Sequence, residues 1–435
     1  MASTEWLEYI LLHYRWVVVV FFLLPASLCF DVYYYTRSWI IFKLNSAPEH
    51  HEMRVKDVQR QVREWNINSE AVPMCTARPG WQSISFREAA YKKAFHKIQI
   101  NMVDILEIDT DEMTVRCEPL VTMGQLTHTL TELGWTIPVV PEMDDLTIGG
   151  LVMGTGIETS SHKMGLFQHI CVAYELVVAD GSVLMCSETE NRDLFYSVPW
   201  SYGTLGFLTA VKIKIIPAQR FVRVEYKPCY SLDDIVNTFT QETTKVEGNQ
   251  FVEGVMYSLH SGVVMTANMC TAAHPGQLNK IGRWYKPWFF KHVETYLINH
   301  ETGVEYFPLR DYYHRHTRSI FWEIQIYPIW LCPFKLPANP GMLHPLNGEE
   351  AVFIDIGTYG KPGVPSYEPT HTTRRIEKFV RKHKGFQMMY ADSYMTREEY
   401  REMFDHSLYD KMRKKLHCER AFPEVYDKVN RKARI

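Results

Sequence analysis

The sequence has no Cys-x-x-Cys pair, no zinc-ligand spacing and no long run of lysine or arginine. Its formal net charge is only -3, so no basic field exists for a phosphate backbone, and nucleic acid is not an expected partner. His50 and His51 are adjacent and lack spaced carboxylate or cysteine partners, so no metal site is expected. The nine cysteines are scattered singly and odd in number, which predicts reduced, mostly buried thiols rather than a disulfide framework. The absence of any Asn-x-Ser/Thr sequon agrees with a body that stays out of the secretory lumen.

Long apolar runs are also scarce. Trp16 to Phe30 gives fifteen residues without a charge, short of the roughly 20 a spanning helix needs. Trp6, Ile10 to Leu12 and Tyr33 to Tyr35 extend it, with aromatics at both ends and Arg15 able to snorkel. A cleaved signal peptide is the rival, but the short segment before it carries Glu5 and Glu8. A retained membrane anchor over 1–45 is the reading we carry forward. Arg15 alone precedes the segment, whereas Arg37, Lys43, Arg54, Lys56 and Arg60 follow it, which places the body in the cytosol.

What is abundant is glycine between Pro138 and Phe167. Gly149, Gly150, Gly154, Gly156 and Gly165 are interleaved with Thr147, Thr155, Thr159, Ser160 and Ser161, as suits a backbone that turns sharply and offers N–H groups to a phosphate. Neither common phosphate loop fits. Thr155 and Gly156 follow Gly154 where a P-loop needs Lys and Ser/Thr, and Ile157, Glu158 and Thr159 follow Gly154-Thr155-Gly156 where a dinucleotide fingerprint needs a third glycine. Composition alone leaves a plain strand connector as an equal reading.

At 435 residues the chain is long enough for two or three domains. The boundaries read as anchor 1–45, amphipathic connector 46–70, a first domain 71–220 and a second 221–435. In the connector Val55, Val58, Val62 and Trp65 recur at helical spacing. Arg78-Pro79-Gly80-Trp81-Gln82-Ser83 is a second turn-rich loop. Strands are expected at Ile98 to Val103, Ile105 to Asp109 and Thr114 to Pro119, then a helix from Met123 to Gly134 with Leu126, Leu130 and Leu133 on one face. Past Pro217, strands are expected at Arg223 to Tyr226 and from Val255 to Met265, around a helix over Ser231 to Glu247. The predicted class is α+β.

The order of these parts resembles the FAD-binding domain of the vanillyl-alcohol oxidase and p-cresol methylhydroxylase superfamily. The resemblance rests on Arg78-Pro79-Gly80-Trp81, Glu118 to Gly124, Leu146-Thr147-Ile148-Gly149-Gly150 through Gly165, Glu175 to Ser182, and Gly203-Thr204-Leu205-Gly206-Phe207. Within that superfamily the chain is most similar to the membrane-bound delta-24 sterol reductases. The resemblance implies a two-subdomain FAD-binding fold followed by a substrate cap, with the pyrophosphate bracketed by Arg78 to Ser83 and by Thr147 to Ser161 and the run Gly203 to Gly206 closing the domain. Relatives that bond flavin covalently through the first loop commonly carry histidine where this chain has Trp81, so non-covalent FAD is implied. It further implies NADPH as electron donor, a sterol substrate, and the endoplasmic reticulum membrane, with a homo-oligomer or other sterol-pathway enzymes as partners. Between Glu323 and Tyr327 the sequence skips a long segment that such proteins carry, so a shortened cap is expected.

Reducing an isolated side-chain alkene requires a hydride and a proton, and therefore an acid in a dry groove. Candidate acids are Glu175, Lys291, Tyr390, His314, His316 and Asp392. Glu175 lies on an apolar strand where a charge needs a partner, and a structural ion pair is as good a reading as a cofactor contact. Lys291 follows an aromatic run and reads equally as a snorkelling surface residue. The run His314-Arg315-His316 reads as a solvated turn or as a contact to flavin or NADPH phosphate. Tyr390 and Asp392 are placed on an expected strand. The rival functions are a flavin oxidase of an alcohol or lactone, and an inactive sterol-binding protein with a truncated cap.

Overall fold

The computed structural model describes residues 47–68, 72–78, 91–245, 247–283, 285–317, 328–345, 347–358, 367–391 and 393–433, apart from two isolated positions nearer the N-terminus. The expected anchor, Pro79 to Ser83, the Glu323 to Tyr327 join and Asp392 lie outside these residues. Among the described residues no helix is long and apolar enough to cross a membrane.

The connector forms helix α1, His51–Ile67. Its valines and Trp65, spaced three and four apart, all fall on one face and are at most 7% exposed. The helix therefore packs on the body. Its first turn is held by charge: His51 Nδ1 meets Glu118 Oε1 at 2.8 Å, His51 Nε2 meets Glu175 Oε1 at 3.1 Å, and Arg54 Nη1 donates to both Asp104 and Glu118 at 2.8 Å. Burial alone would push the His51 pKa down, but hydrogen bonds to Glu118 and Glu175 outweigh it and raise the value to about 9. A raised folded-state pKa stabilises below the unfolded value near 6.5 and is lost as pH climbs to about 9, a change of about 3 kcal/mol. We expect proteolysis or hydrogen exchange of α1 to accelerate across that window, and His51→Gln to remove the pH dependence. Flat protection from pH 6 to 9 would disprove it.

Strands β1 (Met74–Thr76) and β2 (His96–Ile98) pair in parallel. They are followed by β3 (Ile105–Asp109), β4 (Thr114–Cys117), helix α2 (Met123–Glu132), helix α3 (Ile148–Met153), β5 (Cys171–Val177), β6 (Val183–Ser187) and β7 (Phe207–Lys214). These five later strands form an antiparallel sheet in the order β3-β4-β7-β5-β6. Two expectations shift. The strand expected at Ile98 to Val103 ends at Ile98, because the backbone beyond it turns to serve α1 and the loop before β3, with Gln99 N–H donating to Gln61 and Asp104 N–H to Glu118. Leu126 and Leu130 are buried, but Leu133 is 57% exposed, since α2 stops at Glu132 and Leu133 leaves the helical face at the cap.

A second antiparallel sheet follows, built from β8 (Phe221–Cys229), β9 (Phe251–Ser258), β10 (Ser261–Cys270), β11 (Gly303–Pro308), β12 (Ile329–Leu336) and β13 (Ala351–Gly357), ordered β11-β8-β10-β9-β12-β13. Helices α4 (Leu232–Thr244), α5 (Phe289–Asn299) and α6 (Leu309–Tyr313) lie between its strands in sequence. Ser231 caps α4 by accepting the Asp234 N–H at 3.0 Å. The strand that resumes after the expected shortening, β12, pairs with β9 and β13, so the sheet continues across the described residues.

The remaining helices, α7 (Pro369–Lys382), α8 (Arg397–Met403), α9 (Ser407–Lys415) and α10 (Val425–Val429), carry the chain back to the first sheet. Thr204 Oγ1 and Tyr409 Oη are 2.6 Å apart, Arg413 donates to Thr204 O at 2.9 Å, and the Phe207 and Phe422 rings meet edge to face at 5.3 Å. The eight described cysteines are free, seven of them buried, as the spacing predicted.

Candidate functional site

Thr147 leaves an extended segment at φ -96°, ψ 147°, and its hydroxyl accepts the Gly150 N–H at 3.3 Å, capping α3. Arg78 Nη1 donates to the same oxygen at 3.0 Å. That bond brings the described end of the first loop against the second, the two that the sequence placed around a pyrophosphate. Gly150 is open toward this point: an added Cβ would meet only Thr147 Oγ1 at 3.1 Å and Arg78 Nη1 at 3.9 Å. Most neighbouring glycines serve the chain itself. A Cβ at Gly149 would strike Pro119 Cβ at 2.8 Å, at Gly156 Phe167 Cβ at 2.7 Å, at Gly154 the Gly150 carbonyl at 2.9 Å, at Gly165 His169 Nδ1 at 2.5 Å and at Gly206 the Val177 carbonyl at 2.9 Å. Ile148 is fully buried core.

Across from Gly154, whose Cβ position lies 3.8 Å from the Tyr202 hydroxyl, the chain makes an unusual turn. Trp200, Tyr202 and Gly203 adopt φ of 62°, 52° and 67°. Left-handed non-glycine residues cost of order 1–3 kcal/mol each, and the turn is held by Trp200, Ser201 and Tyr202 N–H groups donating to the Val152, Val198 and Met153 carbonyls. Two lysines close the ring: Lys428 of α10 donates to Tyr202 O and Lys92 to Arg78 O, both at 2.5 Å. Burial, then the charge of Lys92, pulls Lys428 down to about 8, and burial followed by Arg78 and Lys97 lowers Lys92 as well. Among the described residues no carboxylate compensates either lysine. Thr155 Oγ1 and Trp200 Nε1 are buried without a partner among them too. Three cations and two buried polar atoms without a described partner fit a dianionic pyrophosphate.

The model of the FAD binding domain family matches residues 53–187. The chain is 52% identical to human delta(24)-sterol reductase, an alignment that covers 98% of this chain and 96% of the human protein. The mouse delta(24)-sterol reductase is 51% identical over the same shares, and the Caenorhabditis elegans delta(24)-sterol reductase homolog is 39% identical over 99% of this chain and 98% of the worm protein. The chain belongs to the delta(24)-sterol reductase family. The alignment with the human reductase runs over 494 positions against 435 residues here, so at least 59 of them have no counterpart in this chain.

Within this sterol reductase fold the sequence-chosen hydroxyls divide. Ser160 Oγ donates to Pro138 O at 2.8 Å, Ser161 Oγ accepts the Glu158 N–H at 3.0 Å, and Thr159 Oγ1 lies 3.3 Å from the Tyr312 hydroxyl. These three brace the loop, which leaves Thr155 as the hydroxyl free for a ligand. Lys428 was missed because it lies more than two hundred residues from the glycine-rich stretch. A lone lysine in Tyr426-Asp427-Lys428-Val429 carries no local signal, and only the return of the C-terminal helices exposes its role.

The three proposed catalytic side chains are not brought together. Glu175 sits under α1, where Thr209 donates to it at 2.7 Å and Arg116 at 2.8 Å in addition to the His51 contact. Burial opposes its ionisation, but those hydrogen bonds hold its pKa below the usual range. This is the structural ion pair. Lys291 pairs with Glu294 one turn along α5 at 2.8 Å, with a third of its side chain exposed. Tyr390 lies in a turn rather than on the expected strand, since residues 385–390, which follow α7, join neither sheet.

His314, Arg315 and His316 are not a solvated turn either. His314 is held by Asp144 Oδ1 at 2.7 Å, Glu142 O at 2.9 Å and Thr127 Oγ1 at 3.0 Å. Arg315 has no exposed side-chain surface and bridges the two sheets: Nη2 reaches Glu158 Oε1 at 3.1 Å and Glu253 Oε2 at 3.0 Å, and Nε reaches Glu253 Oε1 at 3.0 Å. Trp330 Nε1 also donates to Glu253, at 3.0 Å. The seam between the halves is thus a buried acid cluster with one arginine at its centre.

Proposed function

We propose that the protein reduces the side-chain delta-24 double bond of a sterol such as desmosterol, using FAD held non-covalently and NADPH as the source of electrons. The observation that carries this is the cluster of Arg78, Lys92 and Lys428 beside Gly150, in which no described carboxylate pairs with either lysine, in a chain of the sterol reductase family. FAD, once reduced, supplies a hydride. The chain's own residues bind and orient: Arg78 and the two lysines neutralise the pyrophosphate, and Thr155 supplies a hydroxyl.

We place the protein on the endoplasmic reticulum membrane as a single-pass protein with its body in the cytosol. One surface supports this. On α7, Ile376 and Phe379 are 55% and 62% exposed and lie between the exposed Arg375, Lys378 and Lys382. An apolar stripe flanked by cations suits an anionic lipid surface.

A flavin absorption spectrum of purified protein and conversion of desmosterol with NADPH by membranes are the expected positive results. Protein that stays colourless after incubation with FAD would sink the reading. The rival of an inactive sterol-binding protein is favoured by the 59 or more aligned positions absent from this chain. It predicts bound flavin with no saturated product.

A further inference from the structure

Helix α7 is built inside out. A helix that packs on a globular body turns its apolar stripe inward and its charges outward. Here the inward face is the charged one: Arg374 Nη2 donates to both carboxylate oxygens of Glu399 at 3.0 and 3.1 Å, and Arg381 Nη2 donates to Glu399 Oε1 at 3.0 Å. Glu377, 2% exposed, accepts the Tyr394 N–H at 2.7 Å. The large apolar side chains Ile376 and Phe379 are left on the outward face, where the Phe379 ring lies 4.2 Å from the exposed His383 ring.

The charge around them is of one sign. Arg375, Lys378, Lys382 and Lys384 are all exposed, and none has an ion-pair partner among the described residues. The single acid between Pro369 and Lys384 is Glu377, which is turned inward. Acids beyond the helix are engaged: Glu368 accepts the Thr370 and His371 N–H groups at the helix start, and Glu402 pairs with Arg381 at 3.2 Å. Nucleic acid would answer the cations but offers no home for Ile376 and Phe379. The interface of an anionic bilayer offers both, with headgroup charge level with the cations and acyl chain beneath them.

We propose that α7 lies in the interface of an anionic bilayer, with Ile376 and Phe379 inserted among acyl chains and Arg375, Lys378, Lys382 and Lys384 on the headgroups. This contact needs no spanning segment, so it goes beyond the single-pass reading above and does not rest on it. It is also braced by the helix that carries Lys428. Arg374 Nη1 donates to Tyr394 O at 2.5 Å while Glu377 takes the Tyr394 N–H, so α7 grips that residue's backbone from both sides. On either side of Tyr394, Ser393 O accepts the Arg431 N–H at 2.8 Å and Met395 O accepts from the Tyr426 hydroxyl at 2.9 Å. None of the docking residues belongs to the cofactor cluster.

Hydrogen exchange of the full-length protein mixed with nanodiscs tests this, using discs of phosphatidylcholine alone and of phosphatidylcholine with phosphatidylserine. Exchange over residues 376–384 should slow on the mixed discs only. Lys378→Gln with Lys382→Gln should lose that protection, as should Phe379→Ser, each with the parent's Tm. Equal exchange on both discs, or protection that survives the paired lysine substitutions, overturns the proposal. Protection that instead rises with protein concentration without lipid also overturns it and assigns the face to a second copy of this chain. Protein that stays on phosphatidylcholine discs while α7 exchanges alike on both keeps the anchor and refutes docking of α7. Protein that binds only the mixed discs, with α7 protected, supports the docking and refutes the anchor.

Discussion

Arg315→Met is expected to lower the unfolding free energy by about 3–5 kcal/mol, because removing one partner of a buried ion cluster strands the others. The guanidinium makes four short contacts: Nη2 to Glu158 and Glu253, Nε to Glu253, and Nη1 to the Tyr312 carbonyl at 2.7 Å. It also lies 4.3 Å from the centre of the Tyr312 ring. Burial would push Glu253 upward, but Arg315 and then His316 hold it at about 2. Without Arg315, burial dominates and the folded-state pKa of Glu253 rises above its unfolded one. The variant should then regain stability as pH falls, opposite in sign to the loss on acidification that a depressed Glu253 gives the parent protein. Urea denaturation at several pH values reads both effects. A loss under 1 kcal/mol, or no change of sign with pH, would show that the cluster does not depend on its arginine.

Lys428→Glu should abolish FAD retention during gel filtration, and Lys428→Met should weaken binding by about 10–100-fold, as expected for one lost charge-assisted contact. Lys428→Arg should keep most of it. A pKa near 8 in the flavin-free protein also predicts a pH effect. Bound pyrophosphate favours the charged lysine, so binding takes up a proton above pH 8 and affinity falls as pH rises through that value. Titrating FAD fluorescence quenching from pH 7 to 9.5 checks this, and an affinity independent of pH in both the parent protein and Lys428→Met would remove Lys428 from the site.

Local pattern carried much of this into view. Helix α1 follows from four apolar residues at helical spacing, and some strands of both sheets, among them Ile105–Asp109, Thr114–Cys117 and those around Tyr226 and Val255, follow from short β-rich runs between turns. The glycine-rich stretch announced a phosphate site, yet four of its five predicted ligand glycines are used for close chain packing, a distinction that depends on what stands opposite each Cα. Glu175 looked equally like a cofactor contact and an ion pair until His51, Arg116 and Thr209 were seen around it. Glu158 lay inside the stretch that drew most attention and was passed over. Its meaning comes from Arg315, which is distant in sequence and meets it only in the fold. Lys428 was hidden for the same reason. Charge compensation is a property of neighbours in space, and the sequence shows only neighbours along the chain.

The return of α9 and α10 to the first sheet has a consequence for how the holoprotein is made. Tyr409 and Arg413 seat Thr204, and Lys428 reaches Tyr202, so the floor of the proposed flavin site is supplied by residues far downstream of the glycine-rich loop. Cofactor capture is therefore expected to wait for those helices, and a nascent chain stalled before residue 420 is expected to carry the glycine-rich loop but no yellow colour.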